Sequence, residues 1–176
     1  MSKIRGFEKI AAFGEEINLP VRATKGAAGY DFEASADVVI PTIWKQGIGT
    51  VLKAAFKGLK VSLDDETLKE VKPVLVPTGI KSYMGEGEYL QLCNRSSNPM
   101  KNFLLLSNGV GVIDNDYYNN PDNEGHIMFQ FINFGLTDKT INKGERIGQG
   151  IFLPFLKADQ DESSATRIGG FGSSGK

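Results

Sequence analysis

Short apolar runs punctuated by turn residues govern what this chain can become. Val38-Val39-Ile40, Val74-Leu75-Val76, Tyr89-Leu90-Gln91-Leu92, Phe103-Leu104-Leu105-Leu106, His126 to Phe131 and Ile151-Phe152-Leu153 all read as strands. The 21 glycines and frequent turn residues between them supply tight connections and leave few candidates for helices. The expected architecture is therefore mainly β. The run Ile127-Met128-Phe129-Gln130-Phe131-Ile132 is almost continuously apolar, which suits a strand buried on both faces and points to a sandwich or barrel.

Residues 1–157 read as one β domain, since 176 residues build a core without metal or disulfide support. Residues 41–72 read as an insertion. Within it, Ser62-Leu63-Asp64-Asp65-Glu66 opens with a capping residue and early acids, and Leu63, Leu68 and Val71 share a face, so one helix is expected. Gly47 to Gly58 reads equally as a second short helix or a hairpin. After Lys157 the chain turns polar and then rich in glycine and serine, so residues 158–176 read as a flexible arm.

Twenty basic residues against twenty-one acidic ones give a net charge of -1, so nothing draws the protein generally to a nucleic-acid backbone. A phosphate ligand must be held locally. No apolar stretch is long enough to span a bilayer. Cys93 is the only cysteine and His126 the only histidine, which removes disulfides and zinc sites built from clusters of those residues. A cytoplasmic setting is the expectation.

Gly111-Val112-Ile113-Asp114-Asn115-Asp116-Tyr117 sets two acids two residues apart. On an extended hairpin both point to one side, where a carboxylate can take a proton from water as a general base. An ordinary solvated turn is the competing reading, and calcium would need more ligands at a defined spacing. Asn94-Arg95-Ser96-Ser97-Asn98 joins a guanidinium to two hydroxyls, donors that hold phosphate oxygens; a plain surface loop is the alternative. Gly144-Glu145-Arg146-Ile147-Gly148-Gln149 adds a charge and an amide before a strand, with a structural salt bridge of Arg146 as the other reading. Phe171 stands alone among glycines and serines. A ring on such an arm can stack on a nucleobase while glycine amides wrap phosphates, although a disordered tail has the same composition.

Taken in order, these segments resemble the five short motifs of the homotrimeric dUTPase family. Ala28-Gly29-Tyr30-Asp31 resembles the first, Arg95-Ser96 the second, Gly111 to Tyr117 the third, Arg146-Ile147-Gly148-Gln149 the fourth and Gly170-Phe171-Gly172-Ser173-Ser174-Gly175 the fifth. The resemblance implies a jelly-roll homotrimer whose sites draw motifs from three subunits, with the arm of one chain closing over another's pocket. It implies cleavage of dUTP to dUMP and pyrophosphate with Mg2+, Asp114 activating the water that attacks the α-phosphorus. Tyr117 then packs on the deoxyribose, leaving no room for a 2'-hydroxyl, and Phe171 stacks on uracil. Arg95, Ser96 and Gln149 hold the phosphate chain, with Ser97, Gly109, Ile113, Ser173 and Arg167 as further substrate contacts. Asp31 orients the site, reaching the metal through water, while selection against cytosine falls to backbone groups of the third motif's hairpin.

The chain departs from that pattern at named positions. Ser97 stands where the family usually has glycine, Gly148 where alanine is usual, and Arg167 precedes Phe171 by four residues rather than five. The segment Tyr118 to Glu124 lengthens the loop after Tyr117. Two alternatives remain. The dCTP deaminase branch shares the fold and often reads Arg-Ser-Ser, whether as a deaminase or a bifunctional enzyme. Its glutamate base, however, is matched here by Gln130, an amide that cannot take a proton from water. A nucleotide-sensing regulatory protein, with residues 44–72 contacting a protein partner, is separated from an enzyme only by turnover.

Overall fold

All six expected strands form. A computed structural model of the chain describes residues 3–14, 16–45, 49, 52, 55–58, 72–164, 167 and 169. The strands are β1 (Gly6–Lys9), β2 (Val21–Arg22), β3 (Tyr30–Glu33), β4 (Val38–Ile40), β5 (Val74–Pro77), β6 (Ile80–Tyr83), β7 (Glu88–Asn94), β8 (Leu104–Leu106), β9 (Gly111–Asp114), β10 (Met128–Asn133), β11 (Lys139–Ile141) and β12 (Arg146–Pro154). Five strands pair in the order β2-β3-β12-β7-β9 and three in the order β5-β10-β8, with β1-β6 and β11-β4 as two-stranded sheets. All of these pairings are antiparallel.

The two larger sheets share one core. Phe32, Leu90 and Ile147 from the first meet Val76, Leu104, Phe129 and Phe131 from the second in a single apolar cluster, and the Phe32 and Phe129 rings lie 5.6 Å apart across it. The sandwich expected from the sequence is thus present, because each strand turns alternate side chains inward.

Two local expectations change, and one open reading narrows. β10 is not buried on both faces: Phe129 and Phe131 are fully enclosed, whereas Met128, Gln130 and Ile132 are only half covered. Its partner strands expose Leu75 and Leu105 on that side, so the near-continuous apolar run reflects an outer face that one chain leaves partly open. Phe103 lies outside β8, in the left-handed region at φ 54°, where it ends the helical turn Asn98–Asn102. Within 47–58, Gly49, Leu52, Ala55 and Phe56 are helical, which favours the helix over the hairpin. The helix expected from Ser62 lies outside the described residues.

His126 precedes β10 rather than belonging to it. Its Nε2 accepts from the Gly79 backbone N–H at 2.9 Å in a buried setting, and the Phe13 ring packs 4.9 Å away. Burial therefore depresses the imidazole's proton affinity. Unfolding restores the ordinary value near 6.5, so this contribution to stability is whole above about pH 6.5 and declines as pH falls below it.

Gly148 has a packing reason. A Cβ there would overlap the Phe129 ring, so this chain fills with an aromatic ring the space that a methyl group would need. Two outcomes follow. Gly148→Ala should cost about 1–3 kcal/mol in denaturant unfolding through overpacking, and Phe129→Leu should restore much of that loss in the double variant; purely additive losses would sever the link. Between pH 7 and 5, wild-type Tm should fall more steeply than that of His126→Gln, and parallel profiles would remove His126 from the acid response.

Candidate functional site

A bulge organises the first half of the site. On a regular strand, residues three apart face opposite sides, so Arg146 and Gln149 should point away from each other. The β12–β3 register instead shifts between Arg146, opposite Glu33, and Gly148, opposite Phe32. The extra residue is Ile147, buried in the core, and it resets the alternation by one. Both side chains consequently reach Asp31: Gln149 Nε2 donates to one carboxylate oxygen at 2.9 Å and Arg146 Nη1 to the other at 3.2 Å.

Arg95 joins the same group. Its Nε lies 4.0 Å from Asp31 and its Nη1 donates to the Arg146 carbonyl at 2.9 Å. Asp31 is buried, with 5% of its side chain exposed, whereas Arg146 and Arg95 stay 48% and 31% exposed. The carboxylate thus anchors two cations whose outer surfaces remain open to an anion. Asn98 secures the turn carrying Arg95, Ser96 and Ser97, donating to Asn94 and to the Ile147 carbonyl, each at 2.8 Å. Sequence alone assigns Asn98 no role of its own within the Asn94 to Asn98 segment, since an asparagine shows no sign of being buried until its partners are placed. Ser96 is exposed and Ser97 half-buried.

The second half is a cavity of about 250 Å3 beside β9. Ile113, Asp114, Tyr117, Asn108, Gln130 and Arg167 are among its walls. The expected extended hairpin is shorter than the sequence suggests: β9 stops at Asp114, and Asn115–Tyr117 form a 3-10 turn. The two acids converge nonetheless, because one guanidinium spans them. Arg167 donates from Nε to Asp116 at 2.8 Å and from Nη2 to Asp114, with its guanidinium 5.8 Å from the Tyr117 ring centre.

Tyr117 is buried and doubly fastened. Its hydroxyl donates to the His126 carbonyl at 3.1 Å and accepts from Asn123 Nδ2 at 2.8 Å, while burial pushes the phenol above its ordinary value. Asn120 Nδ2 also holds the Tyr117 carbonyl at 2.9 Å. The lengthened loop after Tyr117 therefore serves as its brace. Gly125 closes that loop at φ 81°, where a Cβ would press on the Tyr117 carbonyl.

None of Asp31, Arg95, Ser96, Ser97 and Gln149 lines this cavity. Within one chain the cationic cluster and the acid-bearing cavity are separate features. Gly109, at φ 70°, forms the turn next to the cavity, and its neighbour Asn108, which sequence reading did not single out, is in the wall. Phe171 and Ser173 lie outside the described residues. Among the described residues there is no group of three or more histidine, cysteine, aspartate or glutamate side chains able to hold a metal ion. Both Asp31 oxygens are already engaged by Arg146 and Gln149. Such a donor set suits Mg2+ carried by phosphate oxygens and water, with protein carboxylates reached through that water.

A family model described as dUTPase matches residues 53–175. A deoxyuridine 5'-triphosphate nucleotidohydrolase from Lactococcus lactis subsp. lactis is 46% identical over 176 residues, covering 98% of this chain and 99% of that protein. Another from Coxiella burnetii is 33% identical, over 93% of this chain and 90% of its own length. The crystal structure of a dUTPase from Streptococcus mutans superposes with a TM-score of 0.70 at 42% identity, covering 88% of this chain and 98% of that one.

The clamp around Asp31 has a measurable signature. Asp31→Ala should cost about 1–3 kcal/mol in unfolding, since it strands the donors of Gln149 and Arg146, whereas Arg146→Ala, half exposed, should cost less than about 1 kcal/mol. Equal small losses from both would show that the carboxylate does not organise the cluster.

Proposed function

The chain belongs to the dUTPase family and hydrolyses dUTP to dUMP and pyrophosphate, and within that activity we propose that Asp114 is the general base. The observation that carries this assignment is the position of Asp114 at the end of β9, in the wall of the 250 Å3 cavity and beside the buried Tyr117. A water oxygen attacks the α-phosphorus and its proton passes to the Asp114 carboxylate. The bond from that phosphorus to the bridging oxygen breaks, and pyrophosphate leaves with the bond's electrons. Tyr117 packs on the deoxyribose from a fixed position, so a ribose 2'-hydroxyl meets a wall that cannot yield.

Arg95, Ser96, Ser97 and Gln149 hold the phosphate chain, supported by the anchoring of Arg95 and Gln149 on Asp31. Mg2+ would be held chiefly by the triphosphate, with Asp31 reached through water, and would offset the charge that builds on the leaving group. Arg167 pairs with Asp114 in the free chain; a triphosphate offers that guanidinium a more highly charged partner, which frees the carboxylate to accept the proton. Phe171 and Ser173 in the arm close over the base and phosphates.

The assembly that fits this chemistry is a homotrimer. Its support is the separation of cationic cluster from cavity within one chain, together with the half-open apolar face of β5-β10-β8 bearing Leu75 and Leu105. A protein partner for the 44–72 segment is supported by Trp44, Leu52 and Phe56, large apolar side chains exposed among its described residues. No helix among the described residues is long and apolar enough to cross a membrane, and the single cysteine suits a reducing cytoplasm.

Asp114→Asn should lower kcat for dUTP by about 10²–10⁴-fold while leaving nucleotide affinity within a few-fold of wild type in a binding titration. Wild-type turnover in that variant would overturn the assignment of the base.

A further inference from the structure

Lys81 stands in β6 directly opposite Glu8 of β1, so both side chains rise from one face of that two-stranded sheet. The loop after Tyr117 lies against that face. The Lys81 ammonium donates to Asn119 Oδ1 at 2.5 Å and to Glu124 Oε2 at 3.4 Å, and it sits 5.3 Å from the centre of the Tyr118 ring. Tyr118 in turn donates its hydroxyl to Glu8 Oε2 at 2.5 Å. Only 12% of the Lys81 side chain is exposed, and a covered ammonium persists only where such partners offset the loss of water. Asn119 and Glu124 are also the two ends of the loop, joined by the Asn119 backbone N–H donating to the Glu124 carbonyl at 3.1 Å. Both occupy the left-handed region, at φ 55° and 58°, which asparagine tolerates and glutamate resists. Between these ends lie Asn120 and Asn123, whose side chains hold the Tyr117 carbonyl and hydroxyl.

We infer that Lys81 is a positioning residue for sugar discrimination, clipping the two ends of this loop so that its middle keeps Tyr117 in place. Lys81 is not in the cavity wall and acts only through the loop. One charge held by both ends offsets the left-handed strain at Glu124, which is otherwise relieved by opening the loop. Once the loop opens, Asn120 and Asn123 no longer fix the ring, and Tyr117 yields enough to admit a 2'-hydroxyl. The inference rests on the reading that Tyr117 packs on the deoxyribose.

The test compares kcat/KM for dUTP and UTP, with magnesium and well below each variant's Tm, in wild type, Lys81→Met, Lys81→Arg and Asn119→Ala. Lys81→Met should lower the dUTP-to-UTP ratio about 10-fold, mainly through a lower KM for UTP, with kcat for dUTP changed only a few-fold. Lys81→Arg, which keeps the charge and the donors, should recover most of the ratio. Asn119→Ala should move it in the same direction by less, and this exposed position carries the test if Lys81→Met does not fold. A merely structural lysine lowers the active fraction for both substrates alike, so an unchanged ratio in the Lys81 and Asn119 variants overturns the inference. Tyr117→Ala, assayed with the same pair, separates this from failure of the underlying reading. Sugar discrimination lost there but kept in Lys81→Met and Asn119→Ala overturns the role of Lys81 alone, whereas discrimination kept in Tyr117→Ala removes the sugar reading and this inference with it.

Discussion

The interaction on which the rest of this structure depends is the buried carboxylate of Asp31 meeting β12 across a bulge. Without the extra residue at Ile147, Arg146 and Gln149 would face opposite sides of the sheet, and no single anion could bind both. With it, β3 and β12 are joined by polar contacts as well as by backbone pairing, and Arg95 is drawn in from the end of β7. A site for a highly anionic ligand needs cations that stay extended toward solvent in the absence of that ligand. One buried acid among them supplies the counter-charge that keeps them there.

The acid-bearing cavity follows a different logic. Tyr117 is held through its hydroxyl, its carbonyl and the left-handed Gly125 behind it, so this part of the wall is firmly fixed. Asp114, by contrast, is partly exposed and bound to a side chain from the arm. Rigid recognition and exchangeable electrostatics thus sit side by side. The arginine paired with that acid belongs to the segment that carries the fifth motif, which ties the arm to the carboxylate proposed as the base.

Packing explains departures that motif matching cannot. Glycine at 148 goes with Phe129, whose ring takes up the volume. The long loop after Tyr117 is occupied in bracing it, through Asn120 and Asn123. Both features look like loosened constraints when only the motif is compared, and both are compensated by residues distant in sequence or hidden in a loop.

The amino-acid sequence by itself determined the strand-rich class, because alternation and turn chemistry are local and every expected strand formed. It also determined the chemical inventory: the acids of the third motif, the Arg-Ser pair and the Arg-Ile-Gly-Gln segment are each contiguous and read directly. Tertiary structure alone decided that Arg146 and Gln149 converge, since a one-residue bulge leaves no mark on composition. It alone placed Asn98 under the turn that carries Arg95 and set Asn108 and Gln130 in the wall of the cavity beside β9, because each acquires its partners or its wall from other parts of the chain. A pattern read along the chain records side-chain chemistry and period, whereas which groups meet depends on register and on contacts between distant strands.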